Sequence, residues 1–215
     1  MSRLTVLLSS ALIACAQAES ASAAQAPAPP KAGSAVATAP VPSAGAVTVR
    51  VHGGAEVLVV QPAADGSTSL DFTEGGKKTR LVGKMSDPVK RKYRAGDVVV
   101  FETKWDEDGF KLRTPTGSLL YKVKLKDDKI KVSDNEENAN PFELKARESD
   151  RIKVMAPGEK EMGNVRATVV EDASGKKLFD VTGRAGSAAY GVLLLDKIPA
   201  TQRYIILSEL FAKGK

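Results

Sequence analysis

Val98-Val99-Val100-Phe101-Glu102-Thr103 runs through the acidic step Asp106-Glu107-Asp108-Gly109 into Phe110-Lys111-Leu112-Arg113. The first run is rich in β-branched and aromatic residues, which suit a pleated, half-buried surface. The Asp-Gly step supplies the positive φ of a tight turn. The second run alternates apolar with cationic side chains, so one of its faces is dry and the other wet. The stretch predicts a β-hairpin.

The same grammar extends in both directions. Upstream, Val47-Thr48-Val49-Arg50-Val51 passes through His52-Gly53-Gly54-Ala55 into Glu56-Val57-Leu58-Val59-Val60. Downstream, Phe110–Arg113 pairs with Leu119–Leu125, Ile130–Val132 with Phe142–Leu144, Ile152–Val154 with Val165–Ala167, and Thr168–Val170 with Leu178–Val181. Polar or glycine-marked turns separate them. Successive hairpins of this kind predict a mainly β fold, an antiparallel meander that closes into a barrel or forms a strongly curled sheet.

A wet-outside sheet needs something to cover its dry face. The C-terminus offers Ser187-Ala188-Ala189-Tyr190-Gly191-Val192-Leu193-Leu194-Leu195. A helix is then expected from Ala200 to Lys213, opened by Pro199, with Tyr204, Leu207, Leu210 and Phe211 near one face. Both segments should pack on or inside the sheet. Glycine-marked hairpins ending in an apolar C-terminal helix resemble the Tubby C-terminal and LURP-one group. In that group a helix threads a β-barrel, and the resemblance implies recognition of membrane lipid.

Ahead of the hairpins the chain changes character. Arg3 precedes an apolar run from Leu4 to Ala14, a length and flank that suit a signal peptide over 1–14 and fall short of a bilayer span. Leu12-Ile13-Ala14-Cys15 resembles the lipobox of bacterial lipoproteins. That resemblance implies acylation of Cys15, the only cysteine, and cleavage just before it. The alternative is ordinary secretion, with cleavage after Ala16-Gln17-Ala18 leaving a periplasmic or secreted protein. From Glu19 to Ala46 the chain is mostly Ala, Pro, Ser and Gly without an apolar period, so residues 15–46 are read as a lipidated N-terminus and disordered tether. Stretched, the tether would reach on the order of 80 Å. Residues 47–215 form a single β-rich domain. A cell-envelope location follows, on the outer membrane where the cell has one.

The formal charge is +6. Between residues 77 and 94 stand eight bases, Lys77, Lys78, Arg80, Lys84, Lys90, Arg91, Lys92 and Arg94, against the single acid Asp87. That local excess is read either as a solvated, charged edge or loop, or as a site for an acidic lipid or polysaccharide. Nucleic acid is disfavoured because Tyr93 alone could stack on a base within the stretch.

Catalytic signals are sparse. The single histidine, His52, falls at a turn, and the fold contains no thiol, so the common His/Cys metal sites and nucleophile pairs are not expected. Ser133-Asp134-Asn135 and Ser174-Gly175-Lys176-Lys177 match two elements of serine β-lactamases, but in reversed order and without the third. Asp134-Asn135-Glu136-Glu137-Asn138 offers hard oxygen ligands without the glycine and spacing of a calcium loop. Trp105 reads as a core or edge anchor. Three functions stay open: a non-enzymatic, membrane-anchored binding or scaffolding module without cofactor, a binder of anionic lipid or polysaccharide through residues 77–94, and a carboxylate-dependent hydrolase.

Overall fold

The computed structural model describes residues 45–147, 151–183 and 187–215. The signal, Cys15 and the tether as far as residue 44 lie outside the described residues. Fourteen strands follow one another: β1 Val47–Val51, β2 Glu56–Pro62, β3 Thr68–Glu74, β4 Lys77–Asp87, β5 Lys90–Ala95, β6 Val98–Asp106 and β7 Gly109–Arg113. The second half comprises β8 Leu119–Leu125, β9 Lys129–Ser133, β10 Phe142–Arg147, β11 Arg151–Met155, β12 Glu161–Arg166, β13 Val169–Asp172 and β14 Lys177–Thr182. Each strand pairs antiparallel with its neighbours in sequence, and β1 pairs with β14, Val49 opposite Val181 and Arg50 opposite Asp180. The meander is therefore a closed barrel. Closure satisfies the backbone groups that an open sheet would leave along its edges.

The basic stretch 77–94 forms β4 and β5, strands paired on both sides, where a charged edge or loop was the simpler expectation. Alternation explains the difference: Leu81, Gly83, Arg91 and Tyr93 are buried while their neighbours along the strands stay at least partly exposed. Charge density masked a strand period.

Fourteen strands enclose more space than their own side chains can fill; about eight is the number at which side chains alone suffice. The C-terminus fills the remainder. A 3-10 helix, Ala188–Leu194, packs against β10–β13, and α1, Ala200–Ala212, packs against that helix and against β2 and β3. Because α1 lies inside a closed wall, Tyr204 through Leu210 are buried consecutively, all round the helix. A one-sided stripe was expected from the sequence; enclosure buries every side.

Two hydrogen bonds fix the direction of α1. Thr201 Oγ1 donates to Glu74 Oε2 at 2.9 Å, beside the β3–β4 turn. At the opposite end, where β1 begins, Ser187 Oγ donates to the carbonyl of Lys215. Arg203 Nη1 donates to the Leu193 carbonyl at 2.7 Å and joins α1 to the 3-10 helix. Edge-to-face contacts seat the aromatic side chains, Phe72 on Tyr204 at 5.3 Å and Tyr190 on Phe211 at 5.2 Å.

The wall has apolar residues inside and charged residues outside. A barrel that spans lipid carries the opposite polarity, with an apolar outer band. No described helix is long and apolar enough to cross a membrane.

Candidate functional site

Inside the barrel, one polar cluster interrupts the apolar packing. Glu209, on the buried run of α1, is 1% exposed. Its Oε1 accepts from Tyr93 Oη and from Thr103 Oγ1, both at 2.8 Å, and its Oε2 accepts from Trp105 Nε1 at 2.7 Å. Arg91 Nη1 lies 3.3 Å from Oε2, without the alignment of a hydrogen bond, while Arg91 Nη2 donates to the Gly66 carbonyl at 3.2 Å. Strand alternation delivers these groups. Arg91 on β5 stands opposite Thr103 on β6, with Tyr93 and Trp105 two residues to either side, so all four point inward around Glu209.

Burial opposes the charge on Arg91, but Glu209 and then Tyr93 beside it outweigh that penalty and keep the guanidinium protonated. Burial first, and the Glu209 carboxylate second, push the Tyr93 phenol well above its ordinary range. Tyr93 is thus a neutral donor. Three aligned donors and a cation at ion-pair distance hold the Glu209 carboxylate in place. The cluster ties the helix to the wall through β5 and β6.

The eight bases of 77–94 divide by face. Arg91 faces inward, in the cluster just described. Arg80 makes a two-pronged contact with Asp71 at 2.6 and 2.8 Å. Lys90 and Lys92 share Glu102 at 2.7 and 3.5 Å. Arg94 donates to the Asp97 carbonyl at 3.0 Å. Lys77, Lys78 and Lys84 are exposed, with no carboxylate within 4.0 Å among the described residues. The stretch therefore does not converge on one spot.

Other candidates take structural positions. His52 Nδ1 lies 2.9 Å from Asp180 Oδ2 across the β1–β14 seam, and that contact holds the Asp180 carboxyl below the usual aspartate range. The Asp134–Asn138 loop is closed by Asn135, whose side chain donates to the Ala139 carbonyl at 3.0 Å and accepts from the Ala139 amide at 2.7 Å. Glu136 of that loop is engaged by Lys111 and Arg113. Among the described residues no cluster of three or more His, Cys, Asp or Glu is placed to hold a metal ion. Trp105 is a core anchor packed against Phe110, ring centroids 4.6 Å apart and planes tilted by 39°. A cavity of about 360 Å³ sits beside the Asp134–Asn138 loop, lined by Tyr121, Val132, Asp134, Asn140, Pro157 and Ile198.

Glu209 is the residue that sequence reasoning passed over. Its signal was present: a lone acid inside Ile205-Ile206-Leu207-Ser208-Glu209-Leu210-Phe211 must find buried donors wherever that run is enclosed. Comparison with protein-family models, with curated proteins and with solved structures finds no match for this chain. Chemistry on its own surfaces is what speaks for function.

Proposed function

We propose that this protein is a non-enzymatic envelope module, anchored to a membrane through acyl chains on Cys15 and acting through the outer surface of its barrel. The observation that carries the reading is the filled interior. The place where a barrel of this size would hold a ligand is occupied by α1 and the 3-10 helix, and the interior carboxylate is engaged by Tyr93, Thr103, Trp105 and Arg91. That occupancy supports the outer surface as the working face. Leu12-Ile13-Ala14-Cys15 supports the anchor, since two or more acyl chains hold a protein stably at about 0.8 kcal/mol per buried methylene.

Two measurements test it. Native-state hydrogen exchange should show the buried amides of α1 exchanging as slowly as those of the central strands; much faster exchange in α1 alone would mean that the plug leaves and the interior opens to a ligand. Intact mass of the mature protein should give an acylated N-terminus at Cys15. A chain starting at Glu19 would instead indicate plain secretion.

A further inference from the structure

The outer wall carries a pattern that the linear sequence conceals. Strand register brings Lys90, Lys104, Lys111 and Lys122 side by side on four consecutive strands, each directly opposite the next. All four point outward, because their neighbours Arg91, Thr103, Trp105, Phe110, Leu112 and Val123 are buried. A second row, Lys129, Lys145 and Lys153, crosses β9, β10 and β11 in the same way. Between the rows Lys124 stands opposite Lys131. At about 4.8 Å between strands, the first row covers about 14 Å and the belt from β5 to β11 about 29 Å.

Like charges directly opposite one another weaken a sheet. The protein relieves that repulsion only in part, by letting two or three cations share one carboxylate. Glu143 lies between Lys131 Nζ at 3.0 Å and Lys145 Nζ at 2.5 Å. Glu136 takes Lys111 at 2.7 Å and Arg113 at 2.9 Å. Each arrangement leaves surplus positive charge. Lys104, Lys124 and Lys129 have no carboxylate within 4.0 Å among the described residues.

We propose that this belt, β5 to β11, binds a linear anionic polysaccharide, a reading that rests on the barrel's outer surface being its working face. Glu143, held between Lys131 of β9 and Lys145 of β10, illustrates how an acidic group of such a partner would be gripped, one carboxylate between lysines of adjacent strands. A flat anionic bilayer fits less well. The belt is convex, and the turns below it, Asp106-Glu107-Asp108 and Asp127-Asp128, would set acids against the headgroups. Single-stranded nucleic acid lacks its stacking platform, since the large apolar side chains that stand exposed among the described residues are Val51, Met85, Val89 and Val98, none aromatic.

The test is titration of the full mature chain with polygalacturonate, with uncharged dextran as control, at low and at high salt. Binding to polygalacturonate should weaken steeply as salt rises, and dextran should not bind. The triple variant Lys104→Ser, Lys124→Ser, Lys129→Ser should lose about tenfold or more in affinity at low salt, while Lys77→Ser, Lys78→Ser, Lys84→Ser, which removes the same charge from β4, should lose less than about twofold. Both variants should fold, read by the buried-indole emission of Trp105. The belt variant should be at least as heat-stable as the parent because repulsion is relieved. Absence of salt-sensitive binding, equal losses in the two variants, or tighter binding to phosphatidylglycerol vesicles or to oligo-dT would each overturn the proposal. Any of these with slowly exchanging α1 amides leaves the outer surface as the working face and removes only this partner; fast exchange in α1 removes the underlying reading.

Discussion

Arg91 Nη1 and Glu209 Oε2 meet at 3.3 Å inside the barrel, and through them β5 is coupled to the last helix of the chain. The attraction operates where both partners are almost fully withdrawn from water, their side chains being 8% and 1% exposed. Removing one partner therefore costs more than the pair contributes.

Glu209→Ala should lower unfolding free energy by about 3–5 kcal/mol, because it strands a buried guanidinium and three donors. The double replacement Arg91→Met with Glu209→Leu should cost clearly less than the sum of the two single changes. Urea denaturation measures all four states of the cycle. Additive losses would mean that the two residues are not coupled.

Gly83 lies directly across from Tyr93, and a Cβ there would come within 2.7 Å of the ring carbon Cε1 and 2.9 Å of Arg91 Cδ. Gly83→Ala should cost about 1–3 kcal/mol through overpacking. The loss should persist in a Tyr93→Phe background, since the ring and not the hydroxyl is what the methyl meets. Thermal unfolding of the two alanine variants decides this, and an unchanged Tm in either would contradict it.

Alkaline pH should unlock the same region. Burial, then Glu209, raise the Tyr93 phenol in the folded state above its ordinary value of 10.0. The unfolded chain loses that proton first, so this contribution to stability is complete below pH 10.0 and falls as pH rises toward the folded-state value. Tyr93→Phe should flatten the decline between about pH 10 and 11 relative to the parent, although it lowers stability at neutral pH by about 1–3 kcal/mol through the lost donor. Equal slopes for both proteins would refute the assignment.

Trp105 reports on the seating of α1, since its Nε1 donates to Glu209 Oε2 at 2.7 Å and Lys213 Nζ lies 4.6 Å from its ring. A chain ending at Pro199 should show the red-shifted emission of a solvated indole and no cooperative transition, because a barrel of this circumference then has no core. A blue-shifted, cooperatively unfolding truncate would show that the wall stands by itself.

Most of the strand order was legible because the turns are explicit. The hairpin across Asp106–Gly109 and the one across His52–Ala55 appear where glycine and aspartate place them, and Ala200–Lys213 was recognisable behind Pro199. Closure was not decided by pattern alone, for the alternation of Val47–Val51 and Leu178–Val181 fits an open sheet equally well until the two strands are seen paired. The rows on the outer wall were hidden for a related reason. Lys104 and Lys111 become neighbours only through the register of the β6–β7 hairpin, and a charge count along the chain picks out residues 77–94, whose side chains the pleat then sends to opposite faces. Glu209 escaped because a helix read as one-sided gives a lone acid a wet place to go.

The seam between β1 and β14 joins the first strand to the last, and the plug comes after both. Nothing about this wall can lock until residue 182 is available, and nothing about its interior until residue 210 follows. Local hairpins form early, but the contact that makes them a barrel spans nearly the whole domain, and contacts of such sequence separation are slow to form. A chain that has not yet delivered the residues up to Leu210 therefore cannot complete both the barrel and its filling.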